Sequence, residues 1–354
     1  MRLRLQKFFS RYFFTIGFLL VFAAWMLFKP SAPGQVYLLD GNTMGTHYRI
    51  LVVGFPDSLS DQALADGIEQ RLHRVDRELM STYAPESELS RFNRALPGEW
   101  IAVSNELAYV VSQAIVISEL TDGYFDVTVG PLVDLWGFGP QRRPTRMPTS
   151  DEIQQASRLT GYHHLQVSLS PPQLMKTADV RIDLSGIAKG FGADVIADYF
   201  DSVGLDNYFI EVGGELRIRG EKPDGPWVPA IERPQAGSSQ VYEIFNSRGA
   251  AIAVAGSGDY RNYFEEDGVR YSHEIDPFTG RPIVHNLAAV YVIGENATMA
   301  DALSTAFMVM GLERSWALAE RMGLAAYFIS RNTAGDGFDS VYTRQFNEYL
   351  EDAR

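Results

Sequence analysis

The chain has 354 residues, 46% of them hydrophobic and 12% aromatic, which is enough apolar material for a packed globular body and too much for a disordered one. Its 31 basic residues stand against 44 acidic ones, a net charge of −13 that disfavours nucleic acid, whose binding rests on phosphate neutralisation. The absence of cysteine excludes disulfides, thiolate metal centres, cysteine nucleophiles and lipid attachment at an N-terminal cysteine.

The first 30 residues carry Arg2, Arg4, Lys7, Arg11 and Lys29 and no acidic residue. Within them, Phe13 to Phe28 is an uncharged apolar run. It is somewhat shorter than the roughly 20 residues a spanning helix usually needs. The following Lys29-Pro30-Ser31-Ala32-Pro33 is a poor cleavage site, so an uncleaved inner-membrane anchor is expected, with a cleaved signal segment as the alternative. The basic flank stays cytoplasmic. That places the acidic remainder, residues 31–354, in the periplasm as one domain.

Val36–Leu39 and His47–Val53 read as strands around a turn-rich Asp40–Thr46. Ser60 to Met80 has helical spacing, with Leu64, Ile68, Leu72, Val75 and Leu79 on one stripe. Ser104 suits an N-cap for a second helix ending near Leu120, and Ser150 opens a third that Gly161 ends. Val180–Leu184 reads as a strand running into a small-residue turn and a helix that reaches about Val203. Mostly strands follow: Tyr208–Val212, Leu216–Arg219, Trp227–Glu232, Val241–Phe245, Ala250–Val254, Val269–Ile275 and Leu287–Val292. Helices near Ala297–Met310 and Glu313–Met322 precede two last strands, Ala325–Ser330 and Ser340–Thr343, and a polar tail. Helices and hairpin strands mixed in this way give an α+β class.

Four clusters could carry chemistry. The turn from Asp183 through Ser185 and Gly186 to Lys189 opens a helix, where free amides and the dipole attract phosphate. A plain capping turn with a solvated lysine fits it equally, and no Walker loop is present. Asp301 and Thr305 are i and i+4, so both oxygens face one way and suit a hard cation. Asp near a helix start is also stabilising without any ligand. An exposed or cleft-facing Asp301 would carry little packing. His273 sits near a strand end as a candidate general base, though a lone histidine is as readily structural. The turns around Met44, Tyr83 and Tyr124-Phe125-Asp126 offer flat, soft surfaces for a large ring, or simply pack.

Taken together, the ordered segments Gly41–Thr46, Met80–Asn93, Phe125–Gly139, Asp183–Gly190, Glu211–Leu216, Asp259–Pro282 and Ala300–Gly311 resemble the ApbE family of flavin transferases over nearly the whole extramembrane body. The resemblance implies an α+β fold of mixed, largely antiparallel sheets with flanking helices and a flavin cleft. It implies Mg²⁺-dependent transfer of FMN from FAD to a Thr or Ser hydroxyl of a partner protein, with release of AMP. By motif, Met44, Tyr83, Tyr124, Phe125 and Asp126 would contact FAD, Asp183 and Lys189 would hold its adenosine and phosphates, and the backbone near Ile275 would line the site. The Gly186 carbonyl, Asp301 and Thr305 would bind Mg²⁺, and His273 would be the catalytic histidine. The implied acceptors are flavin subunits of Na⁺-translocating NADH:quinone reductase or Rnf-type complexes. A Mg²⁺-dependent FAD pyrophosphatase giving FMN and AMP, or a flavin-binding protein without turnover, are the alternatives the residues leave open. Two departures stand out: no lipidated cysteine is present, and Glu274 follows His273 where an apolar residue is common. In a continuous strand, period-two alternation would turn Glu274 away from the site.

Overall fold

The computed structural model describes residues 34–54, 56, 59–139, 146–238, 240–266, 269–332 and 337–350. The apolar run at Phe13–Phe28 lies outside the described residues. Among the described residues no helix is long and apolar enough to cross a membrane.

An eight-stranded sheet organises the body. Its strands are β1 (Val36–Thr43), β2 (Thr46–Val53), β3 (Tyr208–Val212), β4 (Glu215–Arg219), β5 (Ile252–Gly258), β6 (Leu287–Gly294), β7 (Ala325–Arg331) and β8 (Phe338–Tyr342). They lie side by side in chain order, and every neighbouring pair is antiparallel. The α+β reading and the antiparallel sheet expected of it are therefore present. β1 and β2 reach further than the sequence suggests, because Met44 (φ 49°) and Gly45 (φ 72°) alone make the turn. Two successive left-handed residues match the twist of a two-residue hairpin.

Strand alternation sorts the two faces. Ile50, Val52, Ile210, Val212 and Ala253 point to the side covered by helices. Val254, Ile293, Tyr327 and Ile329 point to the other side, with Trp227, Phe245 and Phe346. Phe346 belongs to a short C-terminal helix, Arg344–Leu350, in the stretch read from sequence as a polar tail.

The helices are inserted between strands. Between β2 and β3 come α1 (Asp61–His73), α2 (Asn105–Leu120) and α3 (Ala188–Ser202), with Ser60 capping the first and Ser104 capping the second as expected. α1 runs on as a π-helical segment, Arg74–Met80. Between β6 and β7 come α4 (Ala297–Met310) and α5 (Leu312–Met322). α4 packs on α3 and across β5 and β6, so it is the central buttress of the body. Gly190 permits this approach: a Cβ there would lie 2.1 Å from the Ala297 carbonyl oxygen and 2.8 Å from Asp301 Cβ.

Val180–Leu184 is not a strand. It is extended and alternately buried, but the Asn93 side-chain amide takes the place of a neighbouring strand. Asn93 Nδ2 donates to the Ile182 carbonyl at 2.9 Å, and Ile182 N–H donates to Asn93 Oδ1 at 2.8 Å. Asp183 N–H donates to the Val127 carbonyl at 2.7 Å. These bonds deliver Asp183 to the mouth of α3. A small sheet of Ile101–Ala102, Leu165–Leu169 and Pro172–Lys176, absent from the sequence reading, covers the far end of α2.

Candidate active site

A cleft opens where α3, α4 and the insertion between β5 and β6 converge. It has two lobes, of about 530 Å³ and about 340 Å³, that share Tyr83, Asp183, Ser185 and Lys189. Met44, Asp76, Arg77 and Met80 line the larger lobe. Tyr124, Phe125, Asp126, Phe138, Gly186, His273, Ile275 and Thr305 line the smaller, more apolar one. Every residue singled out in the sequence thus reaches a wall of this cleft except Asp301.

Asp301 lies directly behind the wall. It is 1% exposed, not exposed or cleft-facing as the sequence suggested. Its Oδ2 accepts from Gly190 N–H at 3.0 Å, and its Oδ1 accepts from Lys189 Nζ at 3.3 Å. Lys189 Nζ also donates to Glu215 Oε1 at 2.6 Å, and Gly256 N–H donates to Glu215 Oε2 at 3.3 Å. Burial by itself would lower the Lys189 pKa, but the charges of Asp301 and Glu215 hold it above its usual value. Burial, then the Asp301 charge, pushes Glu215 above the ordinary carboxylate range, and Lys189 opposes them. Sequence reasoning quoted Glu215 within a motif without giving it a role. The available signal was a lone acidic residue in a short strand, which needs a cation once buried.

The start of α3 offers fewer free amides than its sequence suggests. Ile187 and Ala188 N–H donate to the Leu184 carbonyl, and Gly190 N–H is held by Asp301. Asp183 Oδ1 accepts from Ser185 N–H at 2.8 Å and from Ser185 Oγ at 2.5 Å, closing a local turn. The cation beside this turn is the Lys189 ammonium, which Glu215 and Asp301 share.

Oxygen donors of the kind a hard cation takes gather at the inner end of the small lobe. A Cβ on Gly186 would meet Thr305 Oγ1 at 3.3 Å, so this backbone lies against the Thr305 hydroxyl with nothing between them. Thr305 Oγ1 is 3.3 Å from Ser257 Oγ, which is 2.8 Å from Ser304 Oγ. These donors are all hydroxyl oxygens; behind them, both carboxylate oxygens of Asp301 are engaged by Lys189 Nζ and Gly190 N–H. Among the described residues no group of three or more His, Cys, Asp or Glu could hold a metal. An ion here would complete its shell from water and ligand phosphates, which is how Mg²⁺ is commonly held.

The flavin-sized apolar wall is built from within the core. Phe125 is buried beneath the lobe. Asp126 is also buried, and its carboxylate accepts from Thr128 N–H (2.8 Å), Thr128 Oγ1 (2.6 Å) and Tyr162 N–H (3.1 Å). That role is to fix the turn. Tyr124 packs edge-on against Phe278 at 4.9 Å, with the Arg314 guanidinium over its ring. Tyr83 is 65% exposed and overhangs both lobes.

His273 and Glu274 fall in a break between the strands Val269–Ser272 and Ile275–Asp276, so the alternation that would turn Glu274 outward does not apply. The His273 side chain is 40% exposed and the Glu274 side chain 4%. His273 Nδ1 lies 3.1 Å from the Asn262 carbonyl oxygen and 3.3 Å from Glu274 Oε2. The Asn262 carbonyl oxygen beside Nδ1 favours the neutral ring's proton there and leaves Nε2 as its acceptor.

The description "ApbE family" matches residues 44–328 of the chain. The chain is 44% identical over 324 residues to the FAD:protein FMN transferase of Vibrio cholerae, covering 90% of this chain and 94% of that one. It is 39% identical over 320 residues to the FAD:protein FMN transferase of Escherichia coli, covering 89% and 90%. Among solved structures, the flavin transferase ApbE from Vibrio cholerae superposes with a TM-score of 0.82 at 43% identity, over 90% of this chain and all of that one. The apo flavinyl transferase ApbE of Pseudomonas stutzeri gives 0.81 at 40% identity, over 90% and 97%.

Proposed function

The chain belongs to the ApbE family, and from that premise we propose how it acts: it is an FAD:protein FMN transferase that moves the FMN half of FAD onto a Ser or Thr hydroxyl of a partner protein and releases AMP. The observation that best supports this reading is that His273, Lys189, Gly186 and Thr305, drawn from three separate stretches of chain, line one lobe.

In this reading Tyr124, Phe125, Phe138 and Ile275 receive the flavin ring, and Met44, Tyr83 and Asp183 border the adenosine end, with Asp126 bracing the turn beneath. Asp301, Thr305 and the Gly186 carbonyl would hold Mg²⁺, which when bound supplies a Lewis acid that offsets phosphate charge. Lys189 adds a fixed positive charge at the junction of the lobes, where the pyrophosphate of FAD would lie. His273 Nε2 takes the proton from the acceptor hydroxyl. The acceptor oxygen forms a bond to the FMN phosphorus. The bridging P–O bond breaks, and its electron pair leaves with AMP. No enzyme nucleophile is needed.

The acceptors proposed are flavin-bearing subunits of Na⁺-translocating NADH:quinone reductase or Rnf-type complexes. Residues 31–354 would act in the periplasm, tethered by residues 1–30. The test is incubation of the purified protein with FAD, Mg²⁺ and such a reductase subunit, followed by intact-mass measurement. Covalent FMN on the subunit supports the proposal. Release of FMN and AMP with an unmodified subunit would replace it with FAD hydrolysis.

A further inference from the structure

We propose that Glu274 is a positioning residue for the transfer step, a buried carboxylate that orients the His273 ring and steadies the imidazolium formed when Nε2 takes the acceptor proton. This rests on the reading of His273 as the base.

Three observations carry it. Glu274 Oε2 lies 3.3 Å from His273 Nδ1, on the ring nitrogen that also faces the Asn262 carbonyl. Both carboxylate oxygens of Glu274 are buried, and neither has a hydrogen-bond partner among the described residues. A buried carboxylate without hydrogen bonds is costly to the fold, so its retention calls for a use. The other charged groups nearby are Asp259 and Arg331, and these are bound to each other through two contacts of 2.5 and 2.7 Å. The His273 ring is therefore the group left for Glu274 to face, at 3.3 Å. Phe138 stands edge-on to the imidazole at 6.4 Å and shields this side of the lobe. Burial holds the Glu274 pKa above the usual carboxylate range, and His273 pulls it back down.

The arrangement divides two tasks. The Asn262 carbonyl alone suffices to set the tautomer. Glu274 adds a negative charge that becomes favourable only once the ring is cationic, which is the state reached as the hydroxyl loses its proton. Its contribution should therefore appear in turnover and not in FAD binding.

The experiment uses the full chain, FAD, Mg²⁺ and a purified Na⁺-translocating reductase subunit as acceptor, with wild type, Glu274→Gln, Glu274→Asp and His273→Ala compared. Glu274→Gln should lower kcat by roughly ten-fold or more, toward the low end of general-base effects, with KM for FAD unchanged. Its Tm should rise, because a buried charge is gone. Glu274→Asp should restore part of the rate. Unchanged kcat in Glu274→Gln would overturn the proposal. So would a fall in Tm together with weaker FAD binding, the pattern of a merely structural residue. Normal transfer by His273→Ala would instead remove the base reading, and the role of Glu274 with it.

Discussion

Lys189 and Glu215 are 26 residues apart in the chain and meet at 2.6 Å, with Asp301 closing the group from α4. One ammonium thus serves two carboxylates that are each about 2% exposed. Lys189→Met should leave both acids without a cation. Losing one partner of a buried pair costs about 3–5 kcal/mol, and the 28% exposure of the Lys189 side chain argues for the lower end or somewhat below it. Urea denaturation of the metal-free protein measures this. The double variant Lys189→Met, Glu215→Gln should recover part of the loss, and simple additivity would mean that the two residues are not coupled.

Gly190→Ala should be among the more damaging conservative substitutions. The added methyl would meet backbone at 2.1 Å, so α3 and α4 must separate. Overpacking of this kind costs about 1–3 kcal/mol and sometimes more. The Gly190 amide would also lose Asp301. A normal Tm together with normal Mg²⁺ response would show that the helices shift freely here.

His273→Ala should retain fold and FAD affinity while transfer falls by about 10² to 10⁴-fold. A side chain 40% exposed carries little core packing, so Tm should change little. Melting temperature, flavin titration and transfer rate on one preparation decide the matter. Joint loss of all three would make the histidine structural.

Glu274 also predicts an unusual pH dependence of stability. Its pKa in the folded protein is raised by burial above the ordinary 4.5, so the folded state binds that proton more tightly than the unfolded chain does. The resulting stabilisation is complete below 4.5 and is lost as pH rises through the raised value. Glu274→Gln lacks this loss. The Tm of the variant relative to wild type should therefore climb as pH rises above 4.5. Asp259, Arg331 and His273 remain in both proteins and largely cancel in the comparison. A flat difference would mean that Glu274 finds partners in solution.

Much of the cleft was legible in the chain because its residues sit in short, specific runs. The Asp183–Lys189 turn, Thr305 and His273 line one lobe, and Asp301 lies behind it on Lys189. Helices with caps and periodic stripes, such as α1 and α4, were readable for the same reason. What escaped depends on distant partners. Val180–Leu184 has the alternation of a strand, but Asn93 supplies its hydrogen bonds from 89 residues away. Glu215 acquires meaning only when Lys189 and Asp301 surround it. The outward reading of Glu274 failed because alternation assumes an unbroken strand, and the strand breaks at His273.

The Gly190–Asp301 bond spans 111 positions, and the sheet on which both helices rest is completed by strands later still. Contacts so distant in sequence form slowly, since a long loop must close before they are gained. The junction of the two lobes, where Lys189 meets Asp301, is therefore complete only once α4 has docked. A chain crossing a membrane unfolded would have no assembled grip on the flavin during transit, and would acquire one only in the compartment where it finishes folding.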